Sequence, residues 1–403
     1  MKHVVVITGI AYPQASPTGR VSLEYIGLLK DKCKISIVYM SDTLADTQTH
    51  LWNGYTLYPC TNWRHRIEQR FNKKSGVCAK VFVSTAKIIG RIQTKTHFPN
   101  NLYWFGNKAF AQLEAINRID KIDVIFSVSS PFSAHVAASK YKSLHPDVRW
   151  VSYTVDPYSS KMHLFPVGVS FEDAVKKECD CMSGADVRLM SDELIQNRKD
   201  LSGPLHYEPL PYLLNSISLP ECDSASKTNE IRLVYAGSFY KKDRNPYVML
   251  TTIYSLRHSN IQLHVYSSGA CVDMVEEFAQ KPDSNIFLHG KVNRDELLKV
   301  YATSDVLVNI ANRNPECSPS KIFEYIMMRK PIIEFSNNSK SGYLMQYPIA
   351  LVLSDNDGLK DEKVHDFCLR VKQMNVTEES LNTIYYKHTQ EHITNILEQS
   401  LLK

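Results

Sequence analysis

The 403-residue sequence has no apolar run approaching the roughly 18 residues that a membrane-crossing helix needs. Its first residues, MKHVVVITGIAYP, break off into polar and turn residues too early for a secretory leader and read as a buried strand. The loop after that strand lacks a G-x-G-x-x-G pattern, which argues against a dinucleotide-dependent oxidoreductase. Nine cysteines follow no regular spacing, and Cys179 and Cys181 have no matching pair with which to build a zinc site. They read as reduced thiols of a cytosolic protein. A net charge of +5 is too small to indicate nucleic acid as a partner. The single Asp-x-Asp, Asp355 to Asp357 in SDNDG, lies between a strand and a glycine and reads as a turn, so no metal is expected.

What is present is a globular composition, 43% hydrophobic and 22% charged, on a chain long enough for two domains. Strand and helix signals alternate in both halves, which points to an α/β protein with doubly wound parallel sheets. Strands are expected at His3–Thr8, Lys34–Tyr39, Tyr55–Pro59, Asp123–Val128 and Trp150–Val155, and helices at Val21–Lys30 and Ser133–Leu144. The polar, aperiodic stretch 215–230 reads as a linker, dividing 1–214 from 231–383. Beyond the linker, Ile231–Ala236 opens a second series of strands and helices, and Asn245 with Pro246 supplies a cap and first helical residue. Charge is unevenly spread. Residues 63–95 carry nine Lys or Arg against one acid, Glu68, with apolar residues at helical spacing. Two readings stand for this segment, an anionic membrane surface and a solvated helical face.

The stretch Asn312 to Ser336, NRNPECSPSKIFEYIMMRKPIIEFS, carries the chemistry. Ser318 suits an N-cap and Pro319 the first helical position, which leaves Glu316 in the loop and Glu324 on the flank of the helix. The helix start between the two acids favours an anion, and Lys321 in its first turn adds charge. Pro331 ends the helix before the buried strand Ile332–Phe335.

Glu316 and Glu324 at this spacing, with SPSKIFEY and KPII, resemble the Glu-x7-Glu signature of retaining nucleotide-sugar glycosyltransferases of family 4. The resemblance implies a GT-B fold, in which two Rossmann-like domains face each other across a cleft, and a final helix (384–403) crosses back to the acceptor-binding N-terminal domain. It further implies a nucleotide-sugar donor, no cofactor and no metal. Glu324 would bind the ribose hydroxyls, and Glu316 the transferred sugar beside backbone N–H groups from Cys317, Ser318 and Ser320. Arg244 with Lys241 or Lys242 would neutralise the diphosphate, Gly290 would line the base pocket, and Gly19 would border the donor phosphates. For Gly19 a plain turn glycine is the competing reading. Asp156, in a DPY turn, and His135 are the polar groups placed nearest the acceptor; a turn-starting Asp-Pro and a structural histidine are their competitors.

The implied activity is hexosyl transfer to a glycan or lipid-linked acceptor in bacterial cell-surface polysaccharide biosynthesis, in the cytoplasm or peripherally on the inner face of the plasma membrane. A nucleotide-sugar epimerase of the same fold and a non-catalytic sugar-nucleotide-binding scaffold are the rival expectations.

Overall fold

The computed structural model of the chain describes residues 1–41, 43, 46–62, 67, 70, 71, 77–100, 102–161, 165–214, 229–313, 320–336 and 342–403. The chain divides into two compact units, one of residues 1–213 with 390–403 and the other of residues 214–389. The expected linker 215–230 lies almost wholly outside the described residues.

The first unit is built on β1 (His3–Thr8), whose six residues are all buried. Val4 and Val6 enter one hydrophobic core while Val5 and Ile7 enter another, so both faces of the strand are covered. That burial is why the strand reads as a continuous apolar run instead of an alternating one. The sheet adds β2 (Lys34–Met40), β3 (His50–Trp52), β4 (Tyr55–Cys60), β5 (Val124–Ser129), β6 (Arg149–Thr154), β7 (Val187–Met190) and the two-residue β8 (Glu208–Pro209), in the order β3-β4-β2-β1-β5-β6-β7-β8. Among the described residues only the β3–β4 pair of this sheet is antiparallel.

Helix α1 spans Pro17–Gly27 and begins a turn before the expected Val21. Ser16 caps it, its Oγ accepting from the Gly19 N–H at 3.2 Å, and Pro17 takes the first position. The latter part of the basic segment forms α2 (Val77–Thr96), and most of residues 63–76 lie outside the described residues. Helix α3 (Tyr103–Ile119), unforeseen in the sequence reading, buries Phe105, Ala109, Leu113 and Ile116 at helical spacing. These pack with Ala134, Ala137 and Tyr141 of α4 (Ser133–Leu144) beneath the sheet.

In the second unit β9 (Ile231–Ala236), β10 (Ile261–Tyr266), β11 (Ile286–Leu288), β12 (Val306–Ile310), β13 (Ile332–Ser336) and β14 (Ala350–Ser354) form a wholly parallel sheet ordered β11-β10-β9-β12-β13-β14. The chain thus winds outward from β9 through β10 and β11, then restarts on the other side of β9 with β12. A crevice at the carboxyl ends of β9 and β12 follows from that reversal.

The final helix expected over 384–403 is corrected to begin at Gln390. Glu378–Ile384 is one helix and Gln390–Leu397 another, separated by a 3₁₀ turn at Tyr386–His388. Packing makes the break: Tyr385 donates to the Tyr343 carbonyl at 2.6 Å, and buried His388 sits 4.6 Å from the Phe323 ring. The last helix belongs to the first unit, where Ile393, Leu397 and Leu401 are each fully buried beside α1. Burial is worth roughly 1.5–3 kcal/mol per side chain of this kind.

Candidate anion site

The carboxyl end of β9 runs into Gly237, whose φ is +154° and whose missing Cβ leaves space that two cations approach. A Cβ there would lie 3.1 Å from Lys321 Nζ and 3.9 Å from Arg244 Nη1. Arg244 reaches this point because residues 240–244 close into a turn, with Arg244 N–H donating to the Tyr240 carbonyl at 2.9 Å and Tyr240 N–H to the Arg244 carbonyl at 3.1 Å. Asn312, just past β12, receives Arg244 Nε at 3.0 Å and Nη2 at 2.6 Å on one oxygen. That grip fixes the guanidinium with Nη1 beside Gly237, where it donates to the Ser238 carbonyl at 3.3 Å.

The longer helices between the first sheet and this crevice are α5 (Phe171–Met182), α6 (Tyr247–Ser255), α7 (Val272–Ala279) and α8 (Arg294–Ala302), and Lys321 comes from the next, α9.

 Helix α9 spans Ser320–Met327 and follows β12 at the crevice, and α8 spans Arg294–Ala302. The Lys321 ammonium lies over the rings of Tyr325 at 5.3 Å and Tyr235 at 5.9 Å. Burial among these rings lowers its pKa to about 7; Glu324 opposes the change, and Arg244 and Arg294 add to it. Glu324, one turn further along α9, pairs with Arg294 at the start of α8. Neither Arg244 nor Lys321 has a carboxylate bonded to it among the described residues. Two unneutralised cations beside a helix start, at the switch point of an open sheet, can hold an anion carrying more than one negative charge.

The structure thus brings together Arg244, Lys321 and, through Arg294, Glu324. Lys241 and Lys242 sit at the exposed tip of the 240–244 turn. Gly290 turns with φ +72° in open space. Glu316, Cys317, Ser318 and Pro319 lie outside the described residues, as does the side chain of Ser320. Two contributors were missed in the sequence. Arg294 had a signal, a cation in a helix first turn, where the dipole favours acids. Asn312 had none, because its role depends on a residue 68 positions away.

In the first unit Gly19 is packed against its own chain: a Cβ would stand 2.0 Å from the Ile10 carbonyl oxygen. The close approach of α1 to the loop after β1 requires glycine there. Asp156 follows β6, partly exposed, with its carboxylate 3.1 Å from Lys161 Nζ, and its carbonyl accepts from Ser129 Oγ at 3.2 Å. Buried Glu178 holds the next turn by accepting from the Tyr158 and Ser159 N–H groups at 3.1 and 2.9 Å. The fully buried Arg198 donates to Ser159 and Ser160 hydroxyls, both at 2.6 Å. The expectation that His135 lies near an acceptor is corrected. It is fully buried, its Nδ1 is 2.8 Å from Ser127 Oγ, and burial lowers its pKa to about 3. A neutral, enclosed imidazole belongs to the core of this unit.

The family model described as glycosyl transferases group 1 matches residues 230–347, the segment that holds Gly237, Arg244, Arg294, Lys321 and Glu324. The chain carries a glycosyltransferase domain on a GT-B fold. No curated protein matches the sequence. Among solved structures, the group 1 domain and the unit before it are similar to sucrose-phosphate synthase from Thermosynechococcus elongatus, with TM-score 0.67 and 11% identity over 99% of this chain and 98% of that one. A structure described as trehalose-6-phosphate from E. coli bound with UDP-2-fluoro glucose gives TM-score 0.61 and 12% identity, covering 99% and 98%. The apo form of the lipopolysaccharide outer core galactosyltransferase WaaB gives 0.57 and 11%, covering 99% of each chain.

Proposed function

We propose that the protein transfers a hexosyl group, with retention of anomeric configuration, from a nucleoside-diphosphate sugar to a glycan or lipid-linked acceptor in bacterial cell-surface polysaccharide biosynthesis. The observation that carries this reading is the convergence of Arg244 Nη1 and Lys321 Nζ on Gly237 at the carboxyl end of β9. In this reading the two cations hold the diphosphate and stabilise it as it departs, when its charge grows. Glu324 accepts hydrogen bonds from the ribose, and Glu316 holds the transferred sugar. Retention rests on the resemblance of the Glu316-x7-Glu324 stretch to retaining enzymes. The UDP-sugar bound in the E. coli structure supports the donor class, and the lipopolysaccharide enzyme supports the envelope acceptor.

The test is a thermal-shift screen of UDP-, GDP- and ADP-sugars, followed by turnover of the stabilising donor with and without envelope glycolipid acceptors. Acceptor-dependent release of nucleoside diphosphate, with the anomeric configuration kept in the product, is the expected result. Epimerised donor without acceptor would assign an epimerase, and binding without turnover a scaffold.

Peripheral membrane attachment is the second part of the proposal. No helix among the described residues is long and apolar enough to cross a membrane. On α2, however, Val81, Phe82, Ile88 and Ile92 are each more than half exposed, while Val83 and Ala86 are buried. Lys80, Lys87, Arg91 and Lys95 accompany them with no acid on the helix. Exposed apolar residues and unopposed cations fit an anionic bilayer surface. Changing these four cations to Gln lowers partitioning to anionic vesicles by about 100- to 1,000-fold, at ~1 kcal/mol per basic residue. Sedimentation with phosphatidylglycerol vesicles measures this, and equal binding of wild type and variant would overturn it.

A further inference from the structure

Glu324 has two cations within reach and is joined to only one of them. Lys321 lies one turn earlier on the same helix, a spacing at which opposite charges normally pair. The carboxylate instead pairs with Arg294, on α8, whose side chain is 41% exposed against 16% for Glu324. The arrangement is held by rigid parts. Asn293 and Glu296 form a reciprocal capping box that fixes the start of α8, with bonds of 3.0 and 3.2 Å. Farther along, buried Tyr301 of α8 meets buried Tyr325 of α9 edge to face at 5.4 Å. Past the end of α9, Lys330 Nζ donates to the Ala302 carbonyl at 2.8 Å and also to that of Ser304. The two helices are therefore tied at their far ends, and Arg294 and Glu324 face each other from fixed positions.

We propose that Arg294 is a positioning residue that draws the Glu324 carboxylate away from Lys321, keeping Glu324 free to read the ribose and Lys321 free for the diphosphate. The inference rests on the donor-site reading above and adds a residue to it. Without Arg294 the carboxylate turns to Lys321, so one collapsed pair replaces two working groups. A single Glu324 oxygen engaged by Arg294 leaves the other able to accept from a ribose hydroxyl.

The test compares binding of UDP, GDP and ADP with that of their 2′-deoxy forms to wild type, Arg294→Ala, Arg294→Lys and Glu324→Gln by calorimetry. For the nucleotide that binds, wild type favours the ribose form by about tenfold or more, as expected for a hydrogen bond to a charged group. Arg294→Ala reduces that preference to about twofold, Arg294→Lys restores most of it, and Arg294→Ala adds nothing to Glu324→Gln. Thermal unfolding without nucleotide checks that each variant is folded; if Arg294→Ala is not, Arg294→Lys and Arg294→Gln carry the comparison. An unchanged ribose preference in folded Arg294→Ala overturns the inference and leaves the donor site standing. Failure of wild type to bind any of the six nucleotides overturns the donor site itself, and the inference with it.

Discussion

Arg244→Ala lowers kcat/KM for the sugar donor by on the order of 100- to 1,000-fold, the loss expected when one preorganised donor to a developing charge is removed. Lys241→Ala and Lys242→Ala change it by less than about threefold, because exposed charges interact weakly through water. The contrast follows from the 240–244 turn, which points Arg244 inward and leaves both lysines at the tip. Arg244→Lys keeps the charge and loses the two bonds to Asn312, so it recovers only part of the activity. Asn312→Ala falls in the same direction by a smaller factor, since the guanidinium is then free to rotate away from Gly237. Initial rates over a range of donor concentrations, with acceptor saturating, measure all five. Losses of equal size in Lys241→Ala and Lys242→Ala would move the diphosphate site out to the turn tip.

The difference between what could and could not be read in advance follows the range of the interactions. Strands His3–Thr8 and Ile231–Ala236 have the expected boundaries because a strand buried on both faces writes itself as a near-continuous apolar run, broken in the second only by the half-buried Arg232. Helix α3 is legible too, in the spacing of Phe105, Ala109, Leu113 and Ile116. Strand β8 was not: two exposed residues at the end of a sheet carry no pattern. The break between Ile384 and Gln390 depends on Tyr343 and Phe323, which are distant in sequence.

The candidate site divides in the same way. Composition supplied a set of cations at 241–244, and turn closure selected Arg244 from it. Helix periodicity placed Glu324 on a flank, but its pairing with Arg294 joins residues 30 positions apart. His135 shows the converse. A histidine near the start of a helix says nothing about depth, and only packing around Ser127 and Phe132 reveals that it is enclosed.

Nucleoside-diphosphate binding takes up a proton above pH 7, and Lys321 is its source of demand. In the free fold, burial among Tyr325 and Tyr235 holds the Lys321 pKa near 7, against an ordinary 10.5. A bound diphosphate places negative charge beside the amine and restores the protonated form. The terminal phosphate of the nucleotide loses its own last proton near about pH 6, so the window above 7 belongs to the lysine. Uptake is then about half a proton at pH 7 and close to one at pH 8, and affinity weakens by about tenfold per pH unit up to the pKa of the complex. Titration calorimetry in two buffers of different ionisation enthalpy measures the uptake directly. Stability has the opposite slope. Between 7 and 10.5 the unfolded chain keeps the proton that the fold has released, so this group's contribution rises with pH and its cost is greatest below 7. Lys321→Met removes the cost, so the variant gains stability over wild type at pH 6, and the gain disappears toward pH 10. The same variant binds the nucleotide weakly and takes up no proton. Uptake near zero in wild type at pH 8, or undiminished uptake in Lys321→Met, would show that the amine at Gly237 does not face the diphosphate.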